Sequence, residues 1–172
     1  KDGATVKIYY ESRIIPLNIP LDTNIDEEVE ELVEGQEADF QMKAKQKWSR
    51  LEAVAGAQNR LKTLAKDIVE HYEVRQSAMF GKSMVVVMSR RIAIELYKEI
   101  ITLRPDWHSD DDDKGVIKIV ITGSSSDPVE WQPFIGNKKR RESLSTRMKD
   151  DQDPLKIVIV RDMWLTGFDV PS

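Results

Sequence analysis

Three short segments of the chain gather groups that can grip an anionic ligand. Ser89, Arg90 and Arg91 follow Met88; Thr122, Gly123, Ser124, Ser125, Ser126 and Asp127 follow Ile121; and residues 161–169, with Thr166, Gly167 and Asp169, follow Val160. Hydroxyls, glycine amides and a guanidinium at strand ends and helix starts hold phosphate. The same residue types are ordinary turn and cap residues, so any one segment taken singly carries both readings. Other combinations fail on spacing. Gly81-Lys82-Ser83 ends like a phosphate loop, but Gln76 stands where the first glycine belongs, and the triplet precedes a strand instead of opening a helix. His71 and His108 have no second ligand at metal spacing. Asp110 to Asp113 lacks the spaced oxygens and glycine of a calcium loop, and Asp112-Asp113-Lys114 sits inside a charge run. Ser143 and Ser145 have no base at a recognised spacing. No complete catalytic centre is present.

The elements that must position these segments follow from hydrophobic rhythm. Met84-Val85-Val86-Val87-Met88 is a continuous, mainly β-branched run that predicts a strand buried on both faces. Ile92, Ala93, Leu96, Tyr97 and Ile100 recur at helical spacing up to Pro105. Val116 to Ile121 predicts a second strand, the basic segment from Lys138 to Met148 a helix, and Lys156 to Val160 a third strand. Strand, helix, strand, helix, strand is the order of a parallel α/β sheet, in which ligands bind beyond the carboxyl ends of the strands. Upstream, Thr5 to Tyr10 alternates with period two and predicts a strand. Trp48, Leu51, Val54, Gln58, Leu61, Leu64, Ile68 and Tyr72 predict a helix with one buried face, broken at Gly56, because glycine costs a helix about 1 kcal/mol relative to alanine.

Composition narrows the classes. The 172 residues give room for one domain with an appendage, and the charge of −4 excludes a wholesale cationic coat for nucleic acid. That charge is an average over blocks. Residues 22–39 hold nine carboxylates and no Lys or Arg, whereas Lys138 to Lys149 holds six basic residues against Glu142 alone, a candidate DNA-facing segment or simply a solvated face. Zero cysteines exclude disulfides and thiolate chemistry. No apolar run approaches the ~20 residues of a membrane span. The chain opens on Lys1-Asp2-Gly3 without a Met, which suits a fragment of a longer protein.

Ile157-Val158-Ile159-Val160-Arg161-Asp162-Met163-Trp164-Leu165-Thr166-Gly167-Phe168-Asp169-Val170-Pro171 resembles helicase motif V, in the form found in the motor (R) subunit of type I restriction enzymes. Asp2 to Arg13 is similar to a stretch between the two motor lobes of that family. Asp67 to His71 with Arg75, followed by Gly81 to Arg90, resembles the approach to motif IV and the motif itself. Ile121 to Pro128 is similar to the next strand and loop, and the four blocks come in the family's order.

The resemblance implies a superfamily-two DNA translocase and, for this chain, a RecA-like (P-loop NTPase-type) parallel sheet with flanking helices. It would be a truncated second helicase lobe plus an inserted helical segment. Residues 1–21 would enter the lobe, 22–80 would form the acidic stretch and helical insertion, and 81–172 would carry motifs IV to V. The phosphate-loop lysine, the acidic box and the nuclease lie upstream in such proteins, and an arginine motif lies downstream. The chain alone is therefore expected neither to hydrolyse ATP nor to cut DNA, and no ligand is expected on it. In the full enzyme the implied cofactors are ATP and Mg²⁺. The implied partners are double-stranded DNA and the modification (methyltransferase) and specificity subunits, in the cytoplasm and without a membrane. The implied DNA-backbone contacts are Ser89, Arg90, Thr122, Gly123 and Thr166; Gly167 and Asp169 would face the nucleotide. Another superfamily-two motor and a non-catalytic DNA or protein interaction module remain as alternatives.

Overall fold

A computed structural model describes residues 9–15, 47–161, 163 and 164. The expected strand at residues 5–10 falls outside them apart from Tyr9 and Tyr10, which lie in no helix or strand, and the acidic stretch 22–39 falls outside entirely. A helical segment over residues 47–55 is followed by α1 (Gln58–Ala78), β1 (Ser83–Val86), α2 (Arg90–Leu103), β2 (Ile117–Val120), α3 (Lys138–Lys149) and β3 (Ile157–Val160). Short 3₁₀ turns cover Pro105–Trp107 and Val129–Phe134. The strands form one parallel sheet in the order β1-β3-β2.

β3 lies in the middle, and its residues Ile157, Val158, Ile159 and Val160 are all buried. A strand covered on both faces reads as an unbroken apolar run, because neither set of alternating side chains meets water. Ile157 and Ile159, with Ile117, Ile119 and Ile121 of the β2 region, pack under α1 and α2 through Leu61, Ala65, Val69, Ile92, Leu96 and Ile100. Val158 and Val160, with Val120, pack on the opposite face against Leu144 and Met148 of α3 and Leu155. The helix of residues 58–78 thus shares a core with the sheet.

Two expectations need correction. β1 is not buried on both faces: it flanks the sheet, its side chains are mostly half-buried, and Val86 is 52% exposed. No strand among the described residues lies beyond its outer edge. The long helical stripe also breaks where Gly56 predicts, but it does not stay buried. Trp48, Leu51 and Gln58 are exposed, and after the break the buried face is Leu61, Ala65, Val69 and Tyr72. The break lets α2 approach. A β-carbon on Gly56 would lie 2.5 Å from Nη2 of Arg91 and 2.9 Å from Cγ1 of Ile92. Arg91 donates to the carbonyls of Glu52 (3.1 Å) and Gly56 (3.4 Å), which satisfies the end of the preceding helical turns.

The basic helix α3 does not simply present its charge to solvent. Arg140, Leu144, Arg147 and Met148 fall on one helical face, and both arginines turn toward the acidic loop of residues 109–115. Nε of Arg140 donates to both carboxylate oxygens of Asp112 at 2.9 and 2.8 Å. Arg147, 7% exposed, donates to the carbonyls of Asp112 (2.5 Å), Lys114 (3.2 Å) and Gly115 (3.4 Å) and forks onto Asp153 at 3.0 and 2.8 Å. From β2, the buried Lys118 adds bonds to the carbonyls of Ser109 (2.6 Å) and Asp111 (2.8 Å). Gly115, at φ +83°, makes the left-handed turn that feeds the loop into β2. Burial works against ionisation of Asp153, but bonds from Arg147 and from the Leu155 amide prevail and hold its carboxyl below the usual carboxylate range.

Removing one partner of a buried ion pair strands the other. Arg147→Ala should cost about 3–5 kcal/mol in urea unfolding. Because Asp153 titrates lower when folded, its contribution is complete above the unfolded value of about 3.9 and is lost as pH falls through the folded value. Asp153→Asn should therefore flatten the fall in stability measured below about pH 4. An unaltered acid limb would count against this assignment.

Candidate functional site

The registers Val86↔Val160 and Val120↔Val160 bring all three strands to a common end. Since the strands are parallel, the segments leaving β1, β2 and β3 emerge at one edge of the sheet, and the first two of the three candidate segments are joined there directly. Ser89 is the N-cap of α2, its hydroxyl accepting from the Ile92 amide at 3.2 Å. That satisfies one of the open donors at the helix start, while the hydroxyl keeps its own proton to donate. Arg90, the next residue, reaches across to the segment after β2. Its Nη1 donates to the Thr122 carbonyl at 2.9 Å and to Oδ2 of Asp127 at 2.5 Å. Its guanidinium lies over the Trp131 ring, 5.8 Å from the centroid.

The segment after β2 is an exposed turn built on Asp127. The Ser124 amide donates to Oδ2 of Asp127 at 2.6 Å, the Asp127 amide donates back to the Ser124 carbonyl at 3.1 Å, and the hydroxyls of Ser124 and Ser126 lie 3.1 Å apart. Thr122, Gly123, Ser124, Ser125 and Ser126 are all exposed. Gly123 has a packing reason to be glycine: a β-carbon there would lie 2.5 Å from Cγ2 of Ile135, which pairs with Ile121, just past β2, in a single parallel bridge. After β3 the chain turns at Trp164, which takes φ +64°, a conformation that costs a bulky L-residue roughly 1–2 kcal/mol. Met163 and Trp164 pack against the α3 face of the sheet. Thr166, Gly167 and Asp169 lie outside the described residues.

Asp127 closes the second candidate segment, where the sequence gives it no role of its own, and Trp131 is not singled out by the sequence. The signal for Asp127 is an aspartate before Pro128 at the end of a serine run, the composition of an Asx turn. The rejected Gly81-Lys82-Ser83 triplet has a structural use. Nζ of Lys82 donates to the carbonyls of Arg147 (2.7 Å) and Asp150 (2.5 Å), capping the C-terminus of α3. Burial, aided by nearby Lys156, pulls that ammonium below the usual lysine value. His108 accepts or donates at Nδ1 with the Tyr97 hydroxyl, 2.7 Å away, and burial pushes that phenol up to about 12. His71 lies 3.5 Å from Arg13, whose fork onto Asp67 ties residues 9–15 to α1. Among the described residues no group of three or more His, Cys, Asp and Glu is placed to hold a metal ion, and no helix is long and apolar enough to cross a membrane.

Two curated proteins are similar to this chain along 99% of its length. One, from Haemophilus influenzae, is 45% identical over 172 residues and is named the type I restriction enzyme HindI endonuclease subunit. The other, from Methanocaldococcus jannaschii, is 39% identical over 176 residues and carries the name putative type I restriction enzyme MjaIXP endonuclease subunit. The similarity to these two relatives therefore runs through the acidic stretch and the helices as well as residues 157–171. The chain spans 16% of the length of each relative. No family model and no solved structure matches it.

The Gly123 geometry makes a direct prediction. Gly123→Ala should lower stability by about 1–3 kcal/mol through overpacking against Ile135. In urea unfolding, the cost should shrink when Ile135→Ala is added. Equal costs with and without Ile135 would remove the packing explanation.

Proposed function

We propose that this chain is part of the ATP-dependent DNA-translocating motor of a type I restriction endonuclease, in its second RecA-like lobe. The observation that carries the reading is the shared edge at which the three strand-end segments emerge. There Ser89, Thr122 and the Ser124–Ser126 turn offer hydroxyls beside the exit of the motif V-like segment. The names of the two relatives favour a restriction enzyme over another helicase motor or a passive interaction module.

The work assigned to this segment is grip. Hydroxyls, amides and a turn glycine contact the phosphate backbone of double-stranded DNA without reading bases, which suits a protein that must move along any sequence. Ser89, Arg90, Thr122, Gly123 and Thr166 are the backbone contacts, and Gly167 and Asp169 face the ribose of ATP. ATP with Mg²⁺ supplies the driving reaction when bound to the whole motor, and no described residue of this segment is assigned to the metal. Closing and opening of the nucleotide cleft changes the lobe's hold on DNA. Modification and specificity subunits complete the assembly and choose the site, in the cytoplasm.

In the full-length subunit with its partners, Thr166→Ala should weaken DNA-stimulated ATPase activity, and Asp169→Ala should mainly weaken nucleotide affinity. Each removes a contact to a charged group worth roughly 1.5–3 kcal/mol, a tenfold effect or more. Titration of nucleotide binding and of DNA stimulation separates the two. Wild-type nucleotide affinity in the Asp169 variant would sink its ribose role.

A further inference from the structure

We infer that Asp127 is a positioning residue for the Thr122–Ser126 loop, and that Arg90 acts through it and through the Thr122 carbonyl instead of on DNA directly. The inference rests on the motor reading above and changes the part Arg90 plays in it.

Asp127 sits in a polar surface turn, yet its side chain is only 4% exposed. Its Oδ2 is the common acceptor for Nη1 of Arg90 and for the Ser124 amide. The same Nη1 also holds the Thr122 carbonyl, so one guanidinium nitrogen fixes both ends of the loop. Trp131 covers the guanidinium from the 3₁₀ turn that follows. The sheet order gives this link its reach: β1 and β2 are not neighbours, and Arg90 at the start of α2 ties the segment after one to the segment after the other across the central strand β3.

The electrostatics point the same way. Arg90 and Asp127 are bonded at 2.5 Å and together carry no net charge, so the pair is a poor lure for phosphate. What it does supply is preorganisation. With Asp127 holding the Ser124 amide and Arg90 holding Thr122, the loop's exposed hydroxyls already share one arrangement before DNA arrives, which removes ordering cost from binding. DNA grip at this edge then comes from neutral donors, and the arginine is scaffolding.

The test uses the full-length subunit in its complex. The DNA concentration giving half-maximal ATPase stimulation is measured over a range of salt for wild type, Arg90→Gln, Arg90→Lys, Asp127→Asn and the Arg90→Gln/Asp127→Asn double variant. Each single variant should raise that concentration roughly tenfold or more, as expected for loss of one charge-assisted hydrogen bond. The double variant should be no worse than the worse single, because both break one unit. The slope of log affinity against log salt should stay at its wild-type value.

A slope shallower by about 0.9 for Arg90→Gln would mean that Arg90 neutralises a phosphate itself, and would overturn the inference. So would additive single effects, a wild-type response in Arg90→Lys, or an unmoved half-saturation in Asp127→Asn. Should Asp127→Asn fail to fold by thermal unfolding, Asp127→Glu keeps the charge but displaces it: the same defect is expected, and a wild-type value overturns. A wild-type complex whose ATPase ignores DNA sinks the motor reading itself, and this outcome is distinguishable because it appears before any variant is compared.

Discussion

β3 is hydrogen-bonded on both sides and buried on both faces, and most of the described architecture is a consequence. A parallel neighbour on each side cannot be reached by a tight turn, so the chain must cross over, and the crossovers supply the helices that cover the faces. The crossover helices α2 and α3 cover opposite faces, and α1, which precedes β1, packs beside α2 on the first. Parallel strands with matched ends also have one carboxyl edge in common, and the candidate site is the set of segments leaving it. The candidate site is therefore placed by the sheet, while its polar groups come from residues that contribute little to the core.

Charge has a second use in this fold. Arg140, Arg147 and Lys118 hold the 109–115 loop, Arg91 closes the turn at Gly56, Lys82 caps α3, and Arg104 forks onto Glu73 at 2.6 and 2.7 Å to join α2 to α1. Exposed ion pairs contribute little. The bonds that matter are those to carbonyls and carboxylates away from water, where an unmatched group would be costly. Lys138, Lys139 and Lys149 remain exposed on α3, so the basic block divides between an outer face and an inner one.

Much of this was legible from the residues. β3 is an unbroken β-branched run, β2 is one interrupted by Lys118, α2 has a regular apolar stripe ended by Pro105, and Gly56 breaks the long helical pattern as its propensity requires. The edge position of β1 was not legible, because Met84 to Met88 has the composition of a central strand and sheet order depends on how crossovers pack. Nor was the fate of the basic helix: a count of charges says nothing of direction. The spacing of Arg140, Leu144, Arg147 and Met148 does, since they share a face with the core. At the site, the hydroxyl-rich segments identified the edge, but Asp127 read as a turn residue because its burial depends on Arg90, thirty-seven positions earlier.

The hold on the acidic loop runs largely through the backbone. Arg147 and Lys118 bond to the carbonyls of Ser109, Asp111, Asp112, Lys114 and Gly115, and every residue type owns a carbonyl. Of the loop's side chains, Asp112 meets Arg140, Ser109 and Asp111 accept from the amides of Asp111 and Asp113, and Gly115 is constrained by its φ. Evolution can therefore rewrite Asp110 and Asp113 without moving the loop, provided the cations that hold it, the acceptors at Ser109, Asp111 and Asp112, and the glycine that ends it are kept. Divergence should gather at those two side chains while the loop's path through space is inherited unchanged.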